Sequence, residues 1–383
     1  MKKYFGVPFN IVLLGVVALL NDMSSEMILP ILPLFLTSLG ASSIIIGLIG
    51  GLRNSIASIF KVAGGYWSDR TGKRKIFVSL GYFSAAFFKV FLALSTFWKS
   101  ALVFASLERV GKGIRTAPRE AIISEYSKNH KGRSFGFDRM LDTTGAMLGS
   151  ILAFIFFWYL GLSFKIIILL SAMIGFISLI PLIWVREKKI KPDKASFKLS
   201  FQKLPKKVKK FIFISCLFAL ANFSYMFFIL RVQDFFDKKL AIGISILLYV
   251  LYNFVYATLS LPLGNFADKV GKKRVIRFGY VLFFIICLGF IIANNWVEFM
   301  LLFALYGLVF AAVEGNQRAL ISDLVKEKHK ATALGTFHTA VGLFALPSSL
   351  IAGYLWSINP GLTFVFGGFM SMAAALVLGR SKI

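Results

Sequence analysis

The chain alternates long apolar stretches with short polar segments, and each apolar stretch is close to the length of a membrane-spanning helix. About 20 helical residues cross a hydrocarbon core about 30 Å thick. Twelve stretches meet this length, although charged residues interrupt the fourth and the fifth. The predicted spans are 9–36, 44–67, 76–97, 101–124, 134–160, 164–185, 211–236, 240–266, 275–294, 298–322, 331–356 and 361–378. The pattern therefore predicts an all-α polytopic membrane protein.

The composition agrees with a chain that lies in a bilayer. Hydrophobic residues make up 57% of it and charged residues only 16%, against about 45–50% and about 25% in soluble domains. The net charge of +27 could suggest a nucleic-acid partner, but nucleic-acid binders carry their cations on soluble faces, whereas these lie between apolar runs. We expect the lipid bilayer as a partner and no nucleic acid. We also expect the first span to stay uncleaved, since no small-residue cleavage site follows it.

The loop charges set the expected orientation. The predicted outer loops carry only Lys99, Lys165, Lys238 and Lys239, and most other loop cations lie on the opposite side. The positive-inside rule therefore places both termini in the cytoplasm of a cell-membrane protein. The longest loop, 186–210, is rich in lysine and divides the spans six to six. The predicted domains are an N-terminal bundle at 1–185, a cytoplasmic linker at 186–210 and a C-terminal bundle at 211–383.

Two loops at equivalent places in these halves carry the same pattern, G-x-x-x-D-[RK]-x-G followed by three basic residues. It begins at Gly65 after the second span and at Gly264 after the eighth, 199 residues later. Weaker matches, such as Gly81-Tyr82 with Gly279-Tyr280, support a duplicated six-helix unit. In this motif the first glycine permits close helix packing, the second permits a tight turn, the aspartate can pair with a cation, and the basic triplet can meet lipid phosphate.

These loops, the twelve spans and the central split make the chain resemble the major facilitator superfamily over its whole length. The resemblance implies two pseudo-symmetric six-helix bundles around a central cavity that opens alternately to each side of the membrane. In such transporters the substrate site lies near the midplane between the repeats. No phosphate-binding G-x-x-x-x-G-K-[ST] loop occurs, so we expect an ion or solute gradient to drive transport.

Charged residues within the spans are the main candidates for function. Each costs about 2.5–3.5 kcal/mol at a helix centre, and the fourth span holds a stripe of them. Glu108, Lys112, Arg115 and Arg119 share one helical face. The resemblance implies a role in proton coupling or substrate contact for Arg109, because the family's fourth helix carries an arginine four residues before a glycine, here Gly113.

The first span places Asp22 and Glu26 four residues apart on one face. Pro30 offers no N–H to the Glu26 carbonyl, so the helix should bend there. Two carboxylates in a poorly hydrated place can exchange protons near neutral pH. The alternative is a permanent ion pair with Arg53, Lys61 or Lys89. We predict a coupling or substrate cavity from Asp22, Glu26, Arg53, Lys89, Glu108, Arg109 and Lys112.

A second group of charges lies near the predicted cytoplasmic ends of the spans. In the fifth span Asp138, Asp142, Gly145 and Gly149 share a face, which indicates close packing with acids at one end. Many antiporters of the superfamily have Gly-Pro here, and Gly149-Ser150 departs from that pattern, which weakens the case for an exporter. The predicted cytoplasmic latch comprises Gly65, Asp69, Arg70, Gly72, Arg115, Arg119, Glu120, Asp138, Arg139, Asp142 and Asp268.

The second half has few charges in its spans. Glu314 and Arg318, four residues apart, should pair with each other. His338 is either a proton relay or an ordinary hydrogen-bonding residue. The candidates for the cavity of this half are Asn222, Tyr252, Tyr256, Glu314, Arg318 and His338.

The sequence therefore favours a proton-coupled secondary transporter of a small solute, monomeric, with an anionic or zwitterionic substrate. Efflux of lipophilic cations or drugs is the first alternative, and a non-transporting membrane receptor or scaffold is the second. Neither an enzyme nor a cofactor is expected. The three histidines form no metal-ligand spacing with cysteines or acids, and no nucleophile motif occurs.

Overall fold

The structure is a computed structural model that describes residues 3–4, 7–127, 131–187, 204–325 and 330–381. A short antiparallel pair, β1 (Lys3–Tyr4) and β2 (Val7–Pro8), precedes the first helix. The first half then contains α1 (Phe9–Ile28), α2 (Leu32–Ser38), α3 (Ser43–Thr71), α4 (Arg74–Ala93), α5 (Trp98–Ser127), α6 (Lys131–Trp158), α7 (Phe164–Ile177) and a 3₁₀ turn (Pro181–Trp184).

The second half contains α8 (Lys206–Ala221), α9 (Met226–Gln233), α10 (Lys238–Val270), α11 (Lys272–Ile292), α12 (Trp296–Asp323), α13 (Lys330–Ile358) and α14 (Pro360–Arg380). Side chains cap the starts of α12 and α14. Asn295 accepts hydrogen bonds from the N–H groups of Val297 and Glu298 at 3.1 Å, and Asn359 caps α14 in the same way.

All twelve predicted spans are helical, and the twelve-helix fold is confirmed. Eleven of the segments are long and apolar enough to cross a membrane. The remaining span is α5, whose 30 residues suffice in length but include the predicted charges. The first span breaks after Ile28, next to Pro30, as expected from the missing N–H group. The seventh span breaks between Ala221 and Met226, where no proline indicated it.

The described residues form two compact units, one within Met1–Gly40 and Ile56–Phe197 and the other within Ala41–Ser55 and Lys198–Ile383. The first half of α3 therefore groups with the C-terminal helices, which the sequence did not indicate. The predicted domain boundaries stay a prediction, because most of the linker, residues 188–203, lies outside the described residues.

In the N-terminal unit, glycines bring helix backbones into contact. A Cβ at Gly145 or Gly149 of α6 would lie 2.2 Å from the carbonyl oxygen of Leu19 or Met23 in α1. Gly81 of α4 and Gly111 of α5 face each other, and a Cβ at either would lie 2.6 Å from the carbonyl oxygen of the other. The apolar core of this unit includes Leu14, Val78 and Ile122. The small-residue face predicted on the fifth span is therefore a real packing surface.

The C-terminal unit uses the same device at other places. Gly279 of α11 lies against Val313 of α12, and Gly307 of α12 lies against the backbone of Tyr252 in α10. In the α3 segment that belongs to this unit, Ser55 donates a hydrogen bond of 2.6 Å to the carbonyl of Gly342 in α13.

Both repeated loops have the predicted tight turn, since Gly72 and Gly271 have φ values of +68° and +101°. Only Gly65 has the predicted packing role of the first glycine, with Ala117 beside it, because a Cβ at Gly264 would meet nothing within 4 Å.

We expect Gly149→Ala to lower the thermal unfolding midpoint in detergent, because the new methyl group would overlap the Met23 carbonyl oxygen. Overpacking of this kind costs about 1–3 kcal/mol. Gly264→Ala is the matched control, since it adds a methyl group in open space and alanine is the better helix former by about 1 kcal/mol. Equal effects of the two substitutions would contradict the packing described for α1 and α6.

Candidate functional site

Helix α5 carries its charges into the interior of the N-terminal unit. Glu108, Arg109 and Arg115 are buried, with 2%, 6% and 5% of their surfaces exposed. Their helix can be enclosed because Gly111 and Gly113 let α4 and α3 approach its backbone. Charges at this depth are stable only when they are paired, hydrated or used. Glu108 and Arg109 form an ion pair of 3.0 Å, and Lys112, one turn later, is half-buried.

Lys89 of α4 is the most enclosed of the candidate cations. Its surface is completely buried, and its ammonium donates hydrogen bonds to the hydroxyls of Ser24 (2.7 Å) and Ser25 (3.0 Å) in α1. Ser24 in turn donates to the carbonyl of Ser171 in α7. Both partners of Lys89 are neutral, so its charge is solvated by hydroxyl dipoles. The sequence identified Lys89 but not the two serines.

The two acids of the first helix flank this serine pair. Asp22 and Glu26 are both half-buried on α1, and the Asn21 amide donates a long hydrogen bond of 3.4 Å to Asp22. Lys61 pairs instead with Glu120 at 3.3 Å. Among the described residues, neither Lys61 nor Lys89 therefore donates a hydrogen bond to Asp22 or Glu26. Arg53 is 4% exposed and belongs to the C-terminal unit, so the structure does not bring all seven cavity candidates into one unit.

The predicted latch residues separate into two sets of ion pairs. At the end of α3, Asp69 pairs with Arg74 at 2.7 Å, and Arg74 also pairs with Glu125. In the second set, Arg119 of α5 pairs with Asp138 and, at 3.3 Å, with Asp142 of α6. The second set is largely buried, and breaking a buried pair by removing one partner costs about 3–5 kcal/mol. Asp69 was grouped with Arg119 from sequence, but Arg74 lies just beyond the Gly72 turn and takes Asp69 instead.

The other latch candidates have separate contacts. Arg70 donates to the Tyr66 hydroxyl at 3.2 Å, and the exposed Arg139 lies 3.9 Å from Asp142. Arg115 lies over the ring of the buried Tyr82, with 4.3 Å from the guanidinium carbon to the ring centroid. This cation–π contact was not predicted, although Tyr82 belongs to one of the repeated sequence matches.

The charge cluster of the first repeat recurs in the second. Lys272 pairs with Asp268 at 3.0 Å and with Asp323 at 2.8 Å, as Arg74 does with Asp69 and Glu125.

The next lysine of each repeat also has an equivalent contact. Lys75 donates to the carbonyl of Ile183, and Lys273 donates to that of Ser381, both at the end of the last helix of their unit. The contact of the basic triplets with lipid phosphate stays a prediction, and four of these cations also bind protein acceptors that lie within reach of the turn.

The candidate site of the C-terminal unit is aromatic. Tyr225, Tyr249, Tyr252, Tyr256, Tyr306 and Phe310 form a continuous set of ring contacts with centroid separations of 5.0–6.3 Å, which we call the tyrosine wall. Tyr306 and Phe310 of α12 were not among the predicted cavity residues.

The tyrosine wall ends at a charged pair. Tyr256 donates a hydrogen bond to Glu314, and Glu314 pairs with Arg318 at 3.2 Å as predicted. The side chains of this pair are 43% and 39% exposed. Because an ion pair this exposed is costly against lipid, its open side requires water or a polar solute.

The opposite face of α10 has the character of a lipid-facing surface. Four of its exposed apolar residues recur every seven residues, namely Leu240, Leu247, Phe254 and Leu261. At 100° per residue, Tyr252 and Tyr256 lie about 160° from Phe254. Tyrosine hydroxyls in mid-membrane also disfavour contact with acyl chains. Tyr252 and Tyr256 therefore place the tyrosine wall on the face of α10 that points away from lipid.

The remaining candidates have modest contacts. Asn222 lies at the break between α8 and α9 and accepts a hydrogen bond of 3.5 Å from the Tyr306 hydroxyl. The break itself is tied to other helices of its unit, since the Ser224 N–H donates to the Ser349 hydroxyl of α13. His338 is half-buried in α13, with its ring edge-to-face against Phe337.

Known proteins resemble this chain in sequence and in fold. An uncharacterised MFS-type transporter of Methanocaldococcus jannaschii, MJ1317, is 52% identical over 373 residues, covering 96% of this chain and 94% of the relative. The crystal structure of the nucleoside transporter NupG superposes with a TM-score of 0.81 at 16% identity, covering 98% of this chain and all of that one. The multidrug resistance protein MdtH of Baumannia cicadellinicola is 25% identical over 189 residues, which is 48% of this chain and 43% of the relative.

The family profile is decisive. The profile of the Major Facilitator Superfamily matches residues 14–248 and 239–381, nearly the whole chain. Because this is a family of membrane transporters, the expectation that the protein is not an enzyme is confirmed. The chain belongs to the major facilitator superfamily and is a membrane transporter.

Proposed function

We propose that this protein is a proton-coupled secondary transporter of a small anionic or zwitterionic solute, working by alternating access in the cell membrane with both termini in the cytoplasm. The observation that carries the proposal is Lys89, a completely buried cation whose hydrogen-bond partners are two serines. A cation held by neutral groups keeps attraction for an anion that reaches the site.

The coupling follows from competition for that cationic field. Asp22 and Glu26 lie next to the serines that hold Lys89, and Arg109 and Lys112 add positive charge from α5. When the two carboxylates are ionised, they neutralise part of this field. When they are protonated, the field is available to a carboxylate or phosphate of the solute. Proton binding and anion binding therefore favour each other, which is the linkage that a symporter needs.

The C-terminal unit supplies shape recognition in this proposal. The tyrosine wall offers flat apolar surfaces that contact the body of the solute, and Glu314 with Arg318 offers one charged group of each sign. The same wall favours a second candidate function, the efflux of lipophilic cations, because aromatic faces attract cations. The partial similarity to a multidrug resistance protein points the same way. We propose a monomer, since each unit carries its own candidate residues.

Replacement of the first-helix acids tests the coupling. Solutes are first selected by their stabilisation of the purified protein against heat, from organic anions, amines and zwitterions. The wild-type protein is placed in proteoliposomes that contain a pH indicator. We expect addition of the selected solute to move protons across the membrane together with the solute, which the indicator reports as a change in internal pH. Asp22→Asn with Glu26→Gln should reduce this proton movement at least tenfold. Solute exchange measured in the absence of a pH gradient should be unchanged, because the neutral amides mimic the protonated state.

Asp237→Asn is the matched control, since Asp237 is an exposed acid outside the candidate site. Unchanged proton movement in the double variant would overturn the coupling assignment. Binding with no solute movement in any protein would overturn transport and favour a receptor.

Truncation of the tyrosine wall tests the division of labour. We expect Tyr252→Leu to weaken binding of ring-bearing solutes about 2- to 10-fold, which corresponds to the loss of one aromatic contact, and to leave open-chain solutes of the same charge unchanged. Tyr354→Leu in the same unit is the control, because Tyr354 is 59% exposed and lies outside the tyrosine wall. Isothermal titration calorimetry of both solute types distinguishes the outcomes. Stronger binding of amines than of carboxylates by the wild-type protein would favour the efflux alternative.

A further inference from the structure

A pocket in the C-terminal unit is lined by three cations. It lies where α11 begins and α14 ends, has a volume of about 470 Å³, and is bounded by Val270, Gly271, Lys273, Arg274, Arg277 and Gly379. Among the described residues, no carboxylate pairs with Lys273, Arg274 or Arg277. Within the described part of the chain, the pocket therefore carries three positive charges without a paired carboxylate.

The backbone is arranged to hold these cations in place. Lys273 donates to the Ser381 carbonyl, and Arg274 donates to the Val270 carbonyl at 3.2 Å. Gly379 makes room for Arg277, because a Cβ at this glycine would lie 2.8 Å from the guanidinium carbon. The two arginines keep most of their N–H donors for another acceptor. Planar guanidinium groups with free donors are well suited to a phosphate group.

The duplication provides an internal comparison. The N-terminal unit has a pocket of about 430 Å³ at the equivalent place, between α4 and the end of its last helical segment, and Lys75 and Ser79 are among its lining residues. Positions 198 residues apart correspond here, so Lys75 matches Lys273 while Ile76 and Ser79 stand where Arg274 and Arg277 are. The fold produces the pocket in both units, but only one of the two carries the extra pair of arginines.

The surroundings of the basic pocket indicate the kind of ligand. Arg274 and Arg277 are exposed at the start of α11, and the exposed face of that helix continues with Phe278, Ile285 and Ile292. A run of this kind on a membrane helix contacts acyl chains. The cations therefore lie at the headgroup level of a lipid whose chains cover the apolar residues beyond them. Basic pockets between membrane helices bind anionic headgroups in this way.

We propose that the basic pocket of the C-terminal unit, formed by Lys273, Arg274 and Arg277, is a binding site for the phosphate of an anionic membrane lipid. This site is separate from the charges and the tyrosine wall assigned to transport, so it stands whether or not the coupling mechanism is correct. The positive-inside distribution of loop charges assigns this end of α11 to the cytoplasmic leaflet.

The test exchanges the residues of the two related pockets. Arg274→Ile with Arg277→Ser gives the C-terminal pocket the residues of its N-terminal counterpart, and Ile76→Arg with Ser79→Arg does the reverse. Lipid binding to the delipidated full-length protein is measured by native mass spectrometry with palmitoyl-oleoyl phosphatidylglycerol. We expect one tightly bound lipid on the wild type, at least tenfold weaker binding by the first variant and a second bound lipid on the reciprocal variant.

Controls separate this site from general attraction to cations. Lys206→Ser with Lys207→Ile also removes two exposed cations near a helix start and should leave binding unchanged. Phosphatidylcholine should bind at least tenfold more weakly than phosphatidylglycerol, and soluble glycerol 3-phosphate should not displace the lipid at equal concentration. If the Ile and Ser replacements destabilise the protein, Arg274→Gln with Arg277→Gln retains polarity and should show the same loss.

Three results would overturn the proposal. The first is wild-type affinity in the variants that lack both arginines. The second is equal binding of the anionic and the zwitterionic lipid. The third is displacement by glycerol 3-phosphate at equal concentration, which would assign the pocket to a soluble phosphate compound instead.

Discussion

A charged side chain inside a bilayer needs a partner or polar surroundings that lipid does not supply. The packing of the N-terminal unit around helix α5 depends on this constraint. Its charged side chains are accommodated because Gly111 and Gly113 bring neighbouring backbones close enough to exclude lipid. The acids of α6 then reach Arg119, and Tyr82 covers Arg115. Removal of the close packing would expose several buried charges at once. The small residues and the charged residues of this unit therefore depend on one another.

The two halves have kept their ends and changed their interiors. The pairs formed by Arg74 and Lys272 have the same layout, and Lys75 and Lys273 bind carbonyls at the ends of equivalent helices. Deeper in the membrane, the first half has buried cations and acids where the second has stacked tyrosines. Duplication has preserved the contacts that hold the helix ends, while the helix centres have acquired different chemistry.

Much of this fold could be predicted from the sequence because its main constraint, the thickness of the bilayer, acts on segment length. The bend at Pro30 was equally accessible, since a missing N–H group has a local effect. The break after Ala221 was not, because it is stabilised by contacts such as that of Ser224 with Ser349, more than 100 residues away. The partners of the charged residues were mispredicted for the same reason. Spacing placed Arg119 and Asp69 at one end of the bundle, but only the packing shows that Asp69 pairs with Arg74. Tyr306 and Phe310 were missed because aromatic residues at this spacing usually indicate core packing.

The turn between the paired helices is one residue shorter in the second repeat. Its glycines are 199 residues apart, yet the helices that follow begin at Arg74 and Lys272, only 198 apart. Matching the motifs letter by letter therefore pairs Lys73 with Lys272, although Arg74 is the residue that makes the equivalent contacts. At this turn the residues that align by position in the motif are therefore not the residues that make the equivalent contacts. An alignment of the halves, here or in relatives, should place its gap directly after the glycine and be anchored on the helix starts.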